Sequence, residues 1–135
     1  MHIHSRLRHR RRGAVLVESA IVYFVAFLLL MGTIVFGLGI FRYVQISGLA
    51  REAARWAAVR GPAYQKEQNK AAPTNQDVMT NVITPQMIGL NANNLTCNLT
   101  MTSGVATVRI SYNWLPEAFF GQLTLTSTSA RPITY

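Results

Sequence analysis

Charge, and acidic charge above all, is scarce in this sequence. Charged residues make up only 13% of the 135 residues, and five of them are acidic. Cysteine is rarer still: Cys97 is the only one, so the chain can form neither an internal disulfide nor a zinc site built on cysteines. Half of the residues are hydrophobic. So much apolar side chain with so little charge indicates a membrane or lipid environment.

Residue types that catalyse reactions or bind metals are few beyond Gly13. The three histidines, His2, His4 and His9, all precede that glycine, and the rest of the chain contains a single aspartate. A hydrolytic or metal-dependent active site is hard to assemble from such a set. We therefore expect no enzymatic activity, no cofactor, no metal and no small-molecule substrate.

Basic residues are unevenly distributed. The formal net charge is +8, from thirteen basic and five acidic residues. The arginines that lie before Gly13 are Arg6, Arg8, Arg10, Arg11 and Arg12. A dense basic run directly before an apolar segment is typical of a topology signal and places the N-terminus in the cytoplasm. The competing interpretation is that the run binds nucleic acid or anionic lipid, which predicts strongly salt-dependent association. It leaves the rest of the chain unexplained, and we expect no nucleic-acid partner.

A long apolar segment follows the basic run. From Ala14 to Phe41 the only charged residue is Glu18, and the uncharged stretch from Ser19 to Phe41 alone is long enough to span a bilayer. It is also too long for the apolar region of a cleaved secretory signal. Residues 14–41 are therefore predicted to form a transmembrane helix, with the C-terminal region on the extracytoplasmic side.

The helical pattern continues beyond the membrane segment. Small and apolar residues recur at helical spacing, while Arg51, Glu52 and Arg55 occupy the other side. The apolar stripe consists of Ile46, Leu49, Ala50, Ala53, Ala54 and Ala57. Gly61-Pro62 is a helix stop. The stripe is therefore predicted to be the packing face of an amphipathic helix extension.

The last third of the chain has the two-residue period of β-strands. Apolar residues alternate with polar ones from Leu95 to Thr102 and again from Ala106 to Trp114, with Ser103-Gly104 as a tight turn between them. The segment from Gln122 to Arg131 is predicted to return as a third antiparallel strand. Because so short a sheet is not stable alone, we expect an α+β fold in which the alanine-rich stripe covers the apolar face of a small three-stranded antiparallel sheet.

Four segments result from these patterns. They are a basic leader (1–13), a transmembrane helix (14–41), an amphipathic helix extension (42–61) and a small extracytoplasmic domain (62–135) that ends in the antiparallel strands. Before the strands, a short helix is predicted from Asn75 to Met79, with Asn75 as its N-cap.

The N-terminal motif is the most informative about function. The run Arg10-Arg11-Arg12-Gly13-Ala14-Val15-Leu16-Val17-Glu18 combines a basic leader, a glycine, four apolar residues and a carboxylate directly before a membrane span. This arrangement resembles a type IV prepilin. The resemblance implies that a membrane prepilin peptidase cuts between Gly13 and Ala14, and that Glu18 is the fifth residue of the mature chain. A carboxylate at the membrane edge usually has a partner. The new ammonium of a neighbouring subunit's Ala14 would neutralise it and set the register between subunits.

The helix extension indicates which branch of the pilin-like proteins the chain resembles. The segment from Leu49 to Ala57 is similar to that of TadE-like proteins, minor pseudopilins of the tight-adherence (Flp-type, type IVb) pilus system. The strand runs Val108–Tyr112 and Leu123–Ser127 are also similar. Ser19 stands where the major pilins of this system generally carry an aromatic residue, and the major pilins are much shorter than this chain. The resemblance therefore favours a minor component.

The resemblance implies a pilin-like structural or assembly subunit of a bacterial inner membrane. Such a subunit is processed after Gly13 and packed through its N-terminal helix into, or at the base of, a pilus or a related secretion apparatus. Its expected partners are the prepilin peptidase, other pilin or pseudopilin subunits, the inner-membrane assembly platform and the lipid bilayer. The alternative is an unprocessed single-pass membrane protein whose extracytoplasmic domain binds a partner or senses the envelope, and retention of Met1 would favour it.

Overall fold

The computed structural model describes residues 5–116 and 121–134. Its first element is helix α1, Ser5–Ala58. Within α1, the stretch Gly13–Ala58 is long and apolar enough to cross a membrane. The helix runs without interruption because the first proline of the chain is Pro62, and single glycines weaken a helix without breaking it. By its contacts the chain divides into two compact units, one up to Gly37 and one from Leu38 onward.

The end of α1 lies just before the predicted stop. The helix ends at Ala58, three residues before Gly61-Pro62. Pro62 then opens a second helix, α2 (Pro62–Gln68), with Gly61 as its N-cap. Proline is favoured at the first helical position because its missing N–H would have no partner there. The Gly-Pro pair therefore separates two helices.

A short helical region precedes the sheet. Helices α3 (Asn75–Val78) and α4 (Thr84–Gln86) are joined by a π-helical segment, Met79–Ile83. Val78, Val82 and Ile83 are buried. This region therefore contributes its apolar side to the core of the second unit.

The predicted N-cap of α3 is wrong by one residue. Thr74 is the N-cap, and it forms a capping box with Asp77, in which each side chain accepts a hydrogen bond from the backbone N–H of the other residue. The Asn75 side chain instead accepts a hydrogen bond from the backbone N–H of Leu99, at 2.7 Å. The short helix is therefore tied to the first strand of the sheet.

Three antiparallel strands form one sheet in the order β1-β2-β3. They are β1 (Leu95–Thr102), β2 (Val105–Trp114) and β3 (Leu123–Pro132). Ser103 and Gly104 both have positive φ, 54° and 77°, as a two-residue hairpin turn requires. The predicted hairpin and third strand are both present, each within one residue of the predicted bounds.

The core of the second unit lies between α1 and one face of this sheet. All six residues of the helix stripe are buried, with at most 5% of their surface exposed. The buried residues of the strands are Leu95, Ala106, Val108, Ile110, Tyr112 and Trp114. Ala57 and Ala58 of α1 cluster directly with Ala106 of β2, and the small side chains allow this close approach. The structure confirms the predicted α+β fold, a long apolar N-terminal helix packed on a three-stranded antiparallel sheet.

Candidate functional site

The first compact unit exposes apolar side chains on all sides of its helix. Leu16, Phe24 and Phe36 are 71%, 64% and 71% exposed. At 3.6 residues per turn these positions point in different directions around α1. A helix that is apolar all round is stable only inside lipid or among other helices.

The predicted processing site lies on this apolar helix. Gly13 and Ala14 are both helical and exposed. Glu18, also exposed, lies four residues after Ala14, and residues four apart share one face of a helix. Among the side chains that the structure describes, none pairs with the Glu18 carboxylate. The helix therefore presents an exposed glycine and, five residues later, an exposed carboxylate.

At its start, the second unit contains a cluster that the sequence analysis did not single out. A Cβ built on Gly39 would lie only 2.9 Å from Cζ3 of Trp114, so the indole ring packs directly on the helix backbone. The Arg42 guanidinium lies 5.3 Å from the centroid of the same ring and donates a hydrogen bond to the Tyr112 hydroxyl, at 3.3 Å. Gly39 and Arg42 extend the buried stripe by two helical turns before Ile46, and that spacing could have revealed them.

An open groove lies near the other end of α1. Its volume is about 430 Å³, and Trp56, Arg60, Tyr64 and Asp77 are among its lining residues. The Arg60 guanidinium stacks 3.8 Å from the centroid of the Trp56 ring and donates a hydrogen bond to the Trp56 carbonyl, at 3.0 Å. These contacts hold the turn after α1 in place.

Two titratable groups, Asp77 beside this groove and Cys97 in the sheet, have shifted pKa values that follow from their local structure. The backbone N–H and the hydroxyl of Thr74 donate hydrogen bonds to the Asp77 carboxylate, at 2.8 and 2.7 Å, and they lower the pKa of that carboxyl. Cys97 is half-buried in β1, and burial raises the pKa of its thiol, so the reactive thiolate is disfavoured. No group of three or more histidine, cysteine, aspartate or glutamate residues that could hold a metal ion is found in the described part of the chain.

Comparison with known proteins found a family model that is similar to the N-terminal part of this chain. The family model described as TadE-like protein matches residues 13–55. The match covers Gly13, Glu18, the apolar span and most of the helix extension, and it confirms the resemblance on that part of the chain. The strand runs in β2 and β3 lie outside it. Neither the curated proteins nor the solved structures contain a significant match to this chain.

Proposed function

We propose that this chain, which matches the TadE-like family over its N-terminal helix, is a pilin-like structural or assembly subunit of a tight-adherence pilus or a related secretion apparatus. One observation supports the proposal best. Up to Gly37 the matched segment is a helix whose apolar side chains are exposed on all sides, and it begins with the glycine and carboxylate of the prepilin-like motif. Such a helix requires lipid before assembly and neighbouring helices after it.

Processing is the first step of the proposed role. A prepilin peptidase would cut between Gly13 and Ala14 and remove the five leader arginines. The single-pass anchor would remain in the bacterial inner membrane with the sheet on the extracytoplasmic side. Glu18 would then lie in the first turns of the shortened helix, where a carboxylate is favoured by the positive end of the helix dipole.

The new N-terminal ammonium gives Glu18 a partner. Within one chain, Ala14 and Glu18 are one turn apart, and between chains an axial shift of about 6 Å would bring one subunit's ammonium to the other's carboxylate. An ion pair in a low-dielectric surrounding must be well formed, because an unpaired charge there is strongly destabilising. The pair between chains therefore favours a single register of one helix against the next.

The second unit has a structural role in this proposal. The extension of α1 is held by its buried stripe against the sheet, so any movement of the helix extension is transmitted to the domain. The proposed partners are the peptidase, other pilin or pseudopilin subunits and the assembly platform. Their contacts with this chain are structural, and no chemistry is assigned to it.

The Glu18 carboxylate can be tested against a matched control. Glu18→Gln keeps the size of the side chain and removes its charge, whereas Glu52→Gln makes the same change at an exposed position of the helix extension. We expect the Glu18→Gln chain to reach the membrane but to co-purify with other pilin subunits several-fold less than the wild type. The measurement is quantitative recovery of the partners from solubilised membranes.

The Glu52→Gln control shows whether losing a negative charge anywhere on the helix reduces co-purification. Glu52→Gln should co-purify like the wild type. Equal recovery of partners by the Glu18→Gln chain would contradict the proposed register pair.

A further inference from the structure

The described residues outside α1 include two exposed leucines at one end of the sheet. Leu115 directly follows β2 and is 68% exposed, and Leu123, the first residue of β3, is 47% exposed. Leu123 is the direct cross-strand partner of Trp114. We call Trp114, Leu115 and Leu123 the sheet tip. It is an apolar end on a sheet whose outer face is mostly threonine, serine and asparagine.

The position of the sheet tip along α1 is fixed by Trp114, which packs on Gly39. A bilayer core about 30 Å thick needs roughly 20 helical residues, and that number, counted from Ser19, ends at Leu38. The count from Ser19 and the predicted segment 14–41 therefore both end within one helical turn of Gly39, and the helix leaves the hydrocarbon there. Because the sheet tip contacts α1 at this residue, it lies at the level of the membrane interface.

The side chains around the sheet tip suit that level. Tyrosine is enriched at membrane interfaces, and Tyr43, one turn beyond Gly39 on α1, is 48% exposed. Arg42, one turn beyond Gly39, is half-buried and directed to Trp114 and Tyr112. An arginine there places its charge near the lipid phosphates while its stem lies along apolar side chains.

We infer that the sheet tip is a second membrane contact of this protein. The Leu115 and Leu123 side chains enter the interfacial layer of the bilayer that α1 crosses. Lipid is the partner that fits, because the sheet tip is continuous with the end of the span through the contact between Trp114 and Gly39. The inference depends on α1 spanning the membrane, and it holds whether or not the leader is removed.

A spin-label experiment on the full chain tests this contact. In a Cys97→Ser background, a nitroxide is attached to Leu115→Cys and, as the matched control, to Val59→Cys. Val59 is also apolar and 46% exposed, but it lies twenty residues beyond Gly39, about 30 Å along the helix direction. In vesicles of phosphatidylcholine and phosphatidylglycerol, collision rates are measured with oxygen, which concentrates in lipid, and with a water-soluble nickel chelate.

The inference predicts a ratio of oxygen to nickel collisions that is several-fold higher at Leu115 than at Val59. Equal ratios at the two positions would overturn it. A Leu115 label shielded from both reagents would also overturn it, because a protein partner would then cover the sheet tip. Leu123→Cys repeats the test at a second position, so the result does not depend on one variant folding.

Discussion

At the scale of single residues, two glycines of α1 have opposite surroundings. A Cβ on Gly39 would approach the Trp114 ring to 2.9 Å, and Trp114 is only 6% exposed, so the ring has little room to move. A Cβ on Gly48 would meet nothing within 4 Å. Both glycines lie inside the helix, where alanine is intrinsically preferred by about 1 kcal/mol. Gly39 is therefore required by packing, and Gly48 is not.

The same substitution at the two glycines should act in opposite directions. Gly48→Ala should raise the free energy of unfolding by up to about 1 kcal/mol. Gly39→Ala should lower the free energy of unfolding. Overpacking against Trp114 costs about 1–3 kcal/mol, which outweighs the gain from placing alanine in the helix. Thermal unfolding of the full chain in detergent micelles, followed by tryptophan fluorescence, measures both variants. Equal stabilisation by the two alanines would show that Trp114 does not pack on the helix.

Some residue roles could not be predicted from the sequence. The polar residues Thr74, Asn75 and Asp77 all favour a helix start, and local pattern alone did not identify the cap. Asn75 does not cap the helix because its side chain accepts a hydrogen bond from the backbone N–H of Leu99 in β1. A contact between residues 24 positions apart is not visible in a local pattern.

At the scale of elements, the helix stripe and the strands were predictable because each has a clean period. Apolar positions in β2 alternate strictly, and the two flanking strands place Leu99 and Leu125 opposite two of them, Val108 and Tyr112. The stripe of α1 keeps its helical spacing through Ala57, and the structure buries every member. The π-helical segment was not predicted, because it is short and has no such period.

The close approach of α1 to the sheet depends on small side chains. Ala57 is fully buried against Ala58 and Ala106, so Ala57→Leu should lower the free energy of unfolding by about 1–3 kcal/mol through overpacking. Glu52→Leu, an exposed position on the same helix, should change it by no more than about 0.5 kcal/mol. Chemical denaturation of the full chain in detergent measures both changes. If Ala57→Leu unfolds at the same denaturant concentration as Glu52→Leu, the small-residue contact does not hold the helix on the sheet.

At the scale of the whole molecule, the helix indicates the family and the sheet indicates only the fold. The family match ends at residue 55 and so lies entirely within α1. The sheet was predictable as a fold, because alternation and turn residues determine it. The partners of the sheet were not predictable, because an exposed polar sheet face fits many surfaces equally well.

The proposed role as a pilin-like subunit requires that the chain is processed after Gly13. We would measure the N-terminus of the protein in native membranes by intact mass, with and without the host's prepilin peptidase. We expect Ala14 as the first residue when the peptidase is present and Met1 when it is absent. Met1 in both strains would contradict processing, remove the ammonium partner proposed for Glu18, and make an unprocessed membrane-anchored binding or sensing protein the better description.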